Sequence, residues 1–379
     1  MRMNRTGMNM ERVKRQNRSL ILNYINSTGP VSRKDIAAAT GLTAAAVTQI
    51  SAALISEGVL TVKGTSTERT GEAGRRKVLL DIDPEVSLAY TVNIEPDITT
   101  IAVCGVKGFA VLSEDREPIV KSIPTDKESS PAYYLGQIAS YCHELSKSVP
   151  DRLRDRIECV SVGITGIVDL ENGISKHAYG IWNKEVDVRA ILEKCLGLPV
   201  LVENNVDAFS TGELLYGAGQ DNIDFLTVKW GPGVGSTVIV DGDVFRGKHG
   251  KTAEFGHFIV DPNGALCSCG RRGCLETRLS VRALGPLLPP TKKTEKQIDE
   301  AIDLFARSIV NAGTITAPGR IVLFGRLAGD PVLRGKLIKA CKAYDPSYDE
   351  NRITYTSLSD RESFVGPAAI YANARLFSG

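Results

Sequence analysis

No apolar run in these 379 residues approaches the roughly 20 residues that a membrane-spanning helix needs. The N-terminus carries Arg2, Arg5, Arg12, Lys14, Arg15 and Arg18 with no apolar segment behind them, so no secretory signal is expected. Cysteine and histidine are scarce, eight and four in all. Five of the cysteines are scattered and three stand together, which argues against a disulfide scaffold and for a reducing compartment. A cytoplasmic location with no membrane partner is the expectation. The chain as a whole also lacks one-sided charge, its formal net being +2. That balance conceals an asymmetry. Residues 1–80 hold 13 Lys and Arg against 5 Asp and Glu, a net of +8, and the remainder holds 33 against 39, a net of −6. A basic head on an acidic body implies one module for a polyanion and another for a different partner. Length alone allows two or three domains.

In the head, Leu20, Ile21, Tyr24 and Ile25 recur at helical spacing up to the stop Ser27-Thr28-Gly29-Pro30. Ser32 starts a short helix over 33–39, Gly41 turns the chain, and Thr43 caps a third helix running through Val47, Ile50 and Leu54 to Gly58. Three helices so arranged form a helix-turn-helix. Strands at 59–62 and 77–82, joined by a loop rich in Gly, Thr, Ser and Arg, add a β-hairpin wing. Residues 1–82 therefore read as a mainly α winged helix-turn-helix that binds DNA. Its third helix presents Thr43, Ala44, Ala45, Thr48 and Gln49. These residues can touch thymine methyls or bond adenine, but no arginine is there to read guanine, so phosphates should carry much of the affinity. Ser32, Arg33 and the loop pair Arg75 and Arg76 complete the expected DNA contacts. A helical protein–protein module is the alternative reading of this segment.

The densest chemistry lies in Cys267-Ser268-Cys269-Gly270-Arg271-Arg272-Gly273-Cys274-Leu275-Glu276. Three thiols at C-x-C-x4-C spacing, turned by two glycines, suit a tetrahedral metal. A fourth ligand stands ten residues upstream, His257 in Glu254-Phe255-Gly256-His257. Thiolate and imidazole donors point to a structural zinc on His257, Cys267, Cys269 and Cys274. Chance clustering competes with that reading, and the scarcity of both residue types weighs against it.

From residue 83 onward strands alternate with helices. Strands are expected at 86–94, 99–106, 157–164, 199–202, 224–229, 235–240 and 320–324, and helices at 132–148, 187–195, 207–216, 299–311 and 367–376. The proline-rich stretch 284–294 reads as a loop. The pattern predicts an α/β body of two related lobes, about 83–204 with the C-terminal helix, and 205–366.

Several motifs together resemble those of the ROK family, whose name stands for repressors, open reading frames and sugar kinases. They are Gly74-Arg75-Arg76, Glu203-Asn204-Asn205, Gly231-Pro232-Gly233-Val234-Gly235, Glu254-Phe255-Gly256-His257 and the cysteine knuckle. The resemblance covers nearly the whole chain and is greatest to the repressor branch, which includes xylose-, N-acetylglucosamine- and glucose-responsive regulators. It implies a hexokinase/actin-like (ribonuclease H-like ATPase) body with a sugar cleft between its lobes. It also implies that Asn204, Asn205, Glu254, His257 and Glu276 bond the sugar hydroxyls. Local roles compete for some of these: Asn204 and Glu254 also suit a turn or cap, and Glu276 the start of a helix.

Two kinase requirements are missing. The family's Asp-x-Gly-Gly-Thr phosphate turn corresponds to Asn93-Ile94-Glu95-Pro96-Asp97, which lacks glycine, loses a backbone donor at Pro96 and carries two acidic side chains. The catalytic base, Asp in the family's Glu-Asn-Asp, is Asn205, and a carboxamide cannot accept a proton at neutral pH. Asp207 is expected to face elsewhere, and no catalytic residue is expected. The family's Gly-x-Pro-Gly reads Gly163-Ile164-Thr165-Gly166, and its sugar loop is replaced around residues 177–182, so the effector is expected to differ from those of better-known members. These features predict a regulator that binds operator DNA at an inverted repeat as a homodimer or dimer of dimers, with a sugar or sugar phosphate as effector. Two alternatives stay open: an ATP-dependent sugar kinase with a DNA-binding head, and an adaptor that binds a phosphotransferase-system protein.

Overall fold

The computed structural model describes residues 9–65, 77–220, 223–247 and 253–378. The head begins with the helix Met10–Thr28, which Asn9 caps and Gly29 ends. The second helix, Arg33–Thr40, opens on a reciprocal capping box between Ser32 and Asp35. Gly41, at φ 69°, turns the chain into Thr43, which caps Ala44–Ser56. Leu60–Thr65 pairs antiparallel with Val78–Ile82, whose other edge takes the short strand Val31–Ser32. Both strands of the expected wing are present, while Arg75 and Arg76 lie outside the described residues.

The body is built from two five-stranded sheets with one strand order. The first runs Val200–Asn204, Ile157–Ile164, Leu88–Ile94, Ile98–Gly105, Val120–Pro124. The second runs Ile353–Tyr355, Arg320–Phe324, Phe225–Trp230, Val234–Val240, Asp243–Val244. In each, the central strand has an antiparallel neighbour on one side and a parallel one on the other. Both central strands are buried along their length, as strands covered on two faces must be, and are mainly apolar, interrupted by Thr91 and Asn93 in one and Thr227 and Lys229 in the other. The repeated order makes this the two-lobed hexokinase/actin-like body.

Two helices between the sheets, Asn205–Tyr216 and Glu362–Ala372, pack against each other. Val206 and Phe209 of the first meet Val365 of the second, together with Phe324 and Leu358 of the second lobe. The lobe boundary expected at 204/205 therefore falls on a helix that touches both lobes. The final helix begins at Glu362 rather than at Pro367, whose ring lies against Gly163 on the first sheet. Packing there outweighs the proline's cost inside a helix. The stretch expected to be a loop at 284–294 contains the end of the helix Val281–Leu284 and a 3-10 turn, Gly285–Leu287. A strand at Val120–Pro124 and a helix at Pro331–Tyr344 were not expected, although Asp330-Pro331 is an N-cap followed by proline at the first helical position.

Head and body share one core. Ile21, Leu22 and Ile25 of the first helix join Leu215, Ala369, Leu376 and Phe377 of the body. Lys107 pairs with Asp81 at the base of the wing at 2.6 Å. The division expected at 82/83 is a change of fold without an exposed linker.

Candidate functional site

A cleft of about 910 Å³ lies between the lobes, where the parallel strands end. Its size suits a small ligand. The five sugar-binding candidates, Asn204, Asn205, Glu254, His257 and Glu276, all line it.

The cysteine knuckle forms one wall. Ligand atoms of His257, Cys267, Cys269 and Cys274 lie within 4.8 Å of one another. Cys267 Sγ is 3.6 Å from His257 Nδ1, and Cys269 Sγ is 3.6 Å from Cys274 Sγ. A tetrahedral ion with metal–sulfur bonds of about 2.3 Å requires edges of about 3.7 Å, so these residues could hold a metal ion. Gly273 (φ 69°) permits the turn: a Cβ there would strike the Asp261 carbonyl. With Nδ1 facing the thiols, His257 Nε2 faces Glu254 Oε2 at 3.3 Å. The ring so placed orients a cleft carboxylate, the usual outer partner of a metal-ligating histidine.

The other candidates are held by backbone groups. Glu276 starts the helix Glu276–Leu279 and accepts from Val234 N of the Gly-rich turn at 2.9 Å, tying the knuckle to that turn. Asn204 caps the helix Asn205–Tyr216, accepting from Val206 N and Asp207 N, and its amide donates to Gly166 O at 2.7 Å. Cap and cleft wall thus coincide in one residue. Asn205 is buried and points its amide at Glu95 Oε1, 3.5 Å away.

Two cations to which no role was assigned from sequence, Lys229 and Arg246, pair with acidic residues here. Glu95, read there only as damage to a phosphate turn, forms an ion pair with Lys229 of the other lobe at 2.5 Å. Burial favours the neutral acid, but Lys229 and the surrounding hydrogen bonds hold the Glu95 carboxyl below its ordinary range. Asp207, expected to face elsewhere, lines the cleft and is buried. Arg246 bridges Asp207 at 3.1 Å and Glu203 at 2.6 Å. Burial and the adjacent Asp207 carboxylate push Glu203 up to about 7. Nothing in their spacing along the chain announces these pairs, because the partners come from different elements.

On the head, Thr43, Ala44, Ala45, Thr48 and Gln49 are all exposed along one helix. Ser32 has to be removed from the expected contacts: it is buried and its hydroxyl is engaged with Asp35. Arg33 is only partly buried.

Fold and cleft together define a winged helix-turn-helix protein with a hexokinase/actin-like body. The chain belongs to the ROK family, whose model matches residues 109–374; a model described as winged helix-turn-helix DNA-binding matches residues 14–61. Among its relatives, the xylose repressor of Bacillus subtilis (strain 168) is 26 % identical over 307 residues, covering 80 % of this chain and 75 % of that one. The DNA-binding transcriptional repressor Mlc of Escherichia coli (strain K12) is 28 % identical over 278 residues, covering 73 % of this chain and 65 % of that one. A crystal structure of a ROK family transcriptional regulator, a homologue of the Escherichia coli Mlc protein, superposes with a TM-score of 0.73 at 21 % identity. It covers 96 % of this chain and 98 % of its own.

Proposed function

We propose that this chain is a sugar-responsive transcriptional regulator, a cytoplasmic repressor of carbohydrate-utilisation genes that binds an inverted-repeat operator as a homodimer. One observation carries the reading: a single helix joins cleft to head. Asn205–Tyr216 starts among the cleft residues, and its last turn offers the Leu215 carbonyl to Asn26 of the first head helix at 2.6 Å. Beside it, the Tyr216 hydroxyl donates to Val106 O at 2.8 Å, next to the Lys107–Asp81 pair at the base of the wing. Sugar bound by Asn205, Glu254, His257 and Glu276 closes the lobes and moves this helix, and the helix moves the head. To carry the head from 1:99 to 99:1 between two arrangements, the sugar must prefer one by about 5.5 kcal/mol.

A structural zinc on His257, Cys267, Cys269 and Cys274 suits this role, because the donor set is closed and leaves no position for substrate. The same cleft is poorly equipped for phosphoryl transfer. Asn205 cannot act as a base, and the phosphate turn carries Glu95 and Pro96. A thermal-shift screen with pentoses, hexoses and aminosugars, run beside a coupled assay for ADP, tests the reading. We expect at least one sugar to raise the melting temperature and none to cause ADP release. Sugar-dependent ADP release would overturn it.

A further inference from the structure

Lys229 occupies an unusual position for an ammonium group. It ends up buried in the cleft, immediately before the turn Trp230-Gly231-Pro232-Gly233, on the side facing the first lobe. A buried ammonium beside a glycine-rich turn favours an anion, because an unpaired charge in that position is costly. Here the anion comes from the chain itself. Glu95 reaches over from the turn between Leu88–Ile94 and Ile98–Gly105, and its Oε1 sits 2.5 Å from Lys229 Nζ. Two amides fix that oxygen, Asn93 Nδ2 at 3.2 Å and Asn205 Nδ2 at 3.5 Å. A second carboxylate, Glu362, acts on the same ammonium through space and is anchored by Gly325 N at 3.2 Å.

We infer that Glu95 is a tethered anion seated in the Lys229 site, and that this pair restricts the effector to sugars without a phosphate or carboxylate at the end facing Asn205. The inference rests on the sugar-cleft reading above and narrows it to a chemical class. A carboxylate on the same chain is present at high effective concentration, so a free anion must displace it as well as bind. The rest of the cleft offers such an anion little compensation. Arg246 is already shared by Glu203 and Asp207, the other arginine along the cleft, Arg282, is exposed to water, and Asp97, Glu254 and Glu276 add negative charge to the same walls. Asn205 is engaged in the same arrangement, so the residue standing where a kinase has its base instead buttresses the substitute for a phosphate.

The test replaces Glu95 by glutamine, which keeps the shape and the amide contacts and removes the charge. Binding of inorganic phosphate is measured by calorimetry and thermal shift, with chloride at matched ionic strength as control. Glucose and glucose 6-phosphate are run in parallel. Wild type should respond to phosphate no more than to chloride, whereas E95Q should bind phosphate at least about tenfold more tightly than wild type. The double variant E95Q/K229Q should lose that gain. If E95Q folds only in phosphate while the double variant folds without it, the inference is equally supported. It is overturned if E95Q and wild type respond alike to phosphate, or if wild type itself binds glucose 6-phosphate more tightly than glucose. Failure of every sugar to bind, with the phosphate gain present in E95Q, would count against the sugar reading and leave the anion site standing.

Discussion

Replacing Arg246 by methionine would break an enclosed charge cluster of the cleft while keeping most of the unbranched stem of the side chain. The guanidinium holds Glu203 at 2.6 Å and Asp207 at 3.1 Å, and both carboxylate side chains are almost fully buried, at 7 % and 5 % exposure. Removing one partner of a buried pair costs about 3–5 kcal/mol; because Arg246 is one-third exposed, water screens part of this and about 2–3 kcal/mol remains. For a body of this size that corresponds to a fall in melting temperature of roughly 3–5 °C. The loss must depend on pH. Glu203 already holds its proton more tightly folded than unfolded, because burial and Asp207 raise it to about 7. A carboxyl raised on folding contributes stability while protonated and loses it as pH rises from its unfolded value through its folded one. Without Arg246 the folded value rises further, so the penalty should be largest above about pH 7 and shrink toward about pH 5, where the carboxyl is neutral in the fold. Scanning calorimetry of wild type and R246M across that range measures both effects. A loss below about 1 kcal/mol, or one that does not change with pH, would refute the reasoning.

Three further outcomes are expected. Cys269→Ser removes one of the four candidate metal donors and should abolish stoichiometric zinc in plasma spectrometry and lower the melting temperature; full metal content with full stability would contradict the structural role proposed for zinc. Asn26→Ala deletes the side-chain contact with Leu215 O at the end of the connecting helix. It should leave the sugar-induced thermal shift intact and reduce the effect of sugar on DNA affinity by about fivefold. Ser32→Ala should cost the head about 1 kcal/mol in a urea titration through loss of the capping box, with DNA affinity of the folded fraction unchanged, since Ser32 is buried.

What could be seen in the chain beforehand follows from how local each signal is. The head was legible because caps and turns are short-range: Ser32, Gly41 and Thr43 each set a helix end within a few residues. The His/Cys cluster was legible for the same reason, with three thiols within eight residues and the histidine ten residues before them. Central strands stood out because burial on both faces makes them mainly apolar, with polar residues at only two positions in each. The edge strand Val120–Pro124, half exposed and marked by a lysine and a proline, carries no such pattern. The Glu95–Lys229 and Arg246 pairs were invisible for a different reason. Their partners are brought together by folding across as many as 134 positions, and a lone Lys or Glu reads as a surface residue until its neighbours are known. Asn204 combined both cases: its cap role could be read from the sequence, and its clamp on Gly166 could not.

Fluorescence anisotropy on DNA selected by the protein itself from a random-sequence pool, titrated with each sugar that stabilises the chain, reads operator binding and its control by sugar in one experiment. A sugar-responsive regulator should bind sequence-specifically, with an affinity that shifts at least about tenfold with an uncharged sugar. Salt-sensitive, sequence-independent binding that no sugar alters would contradict that reading.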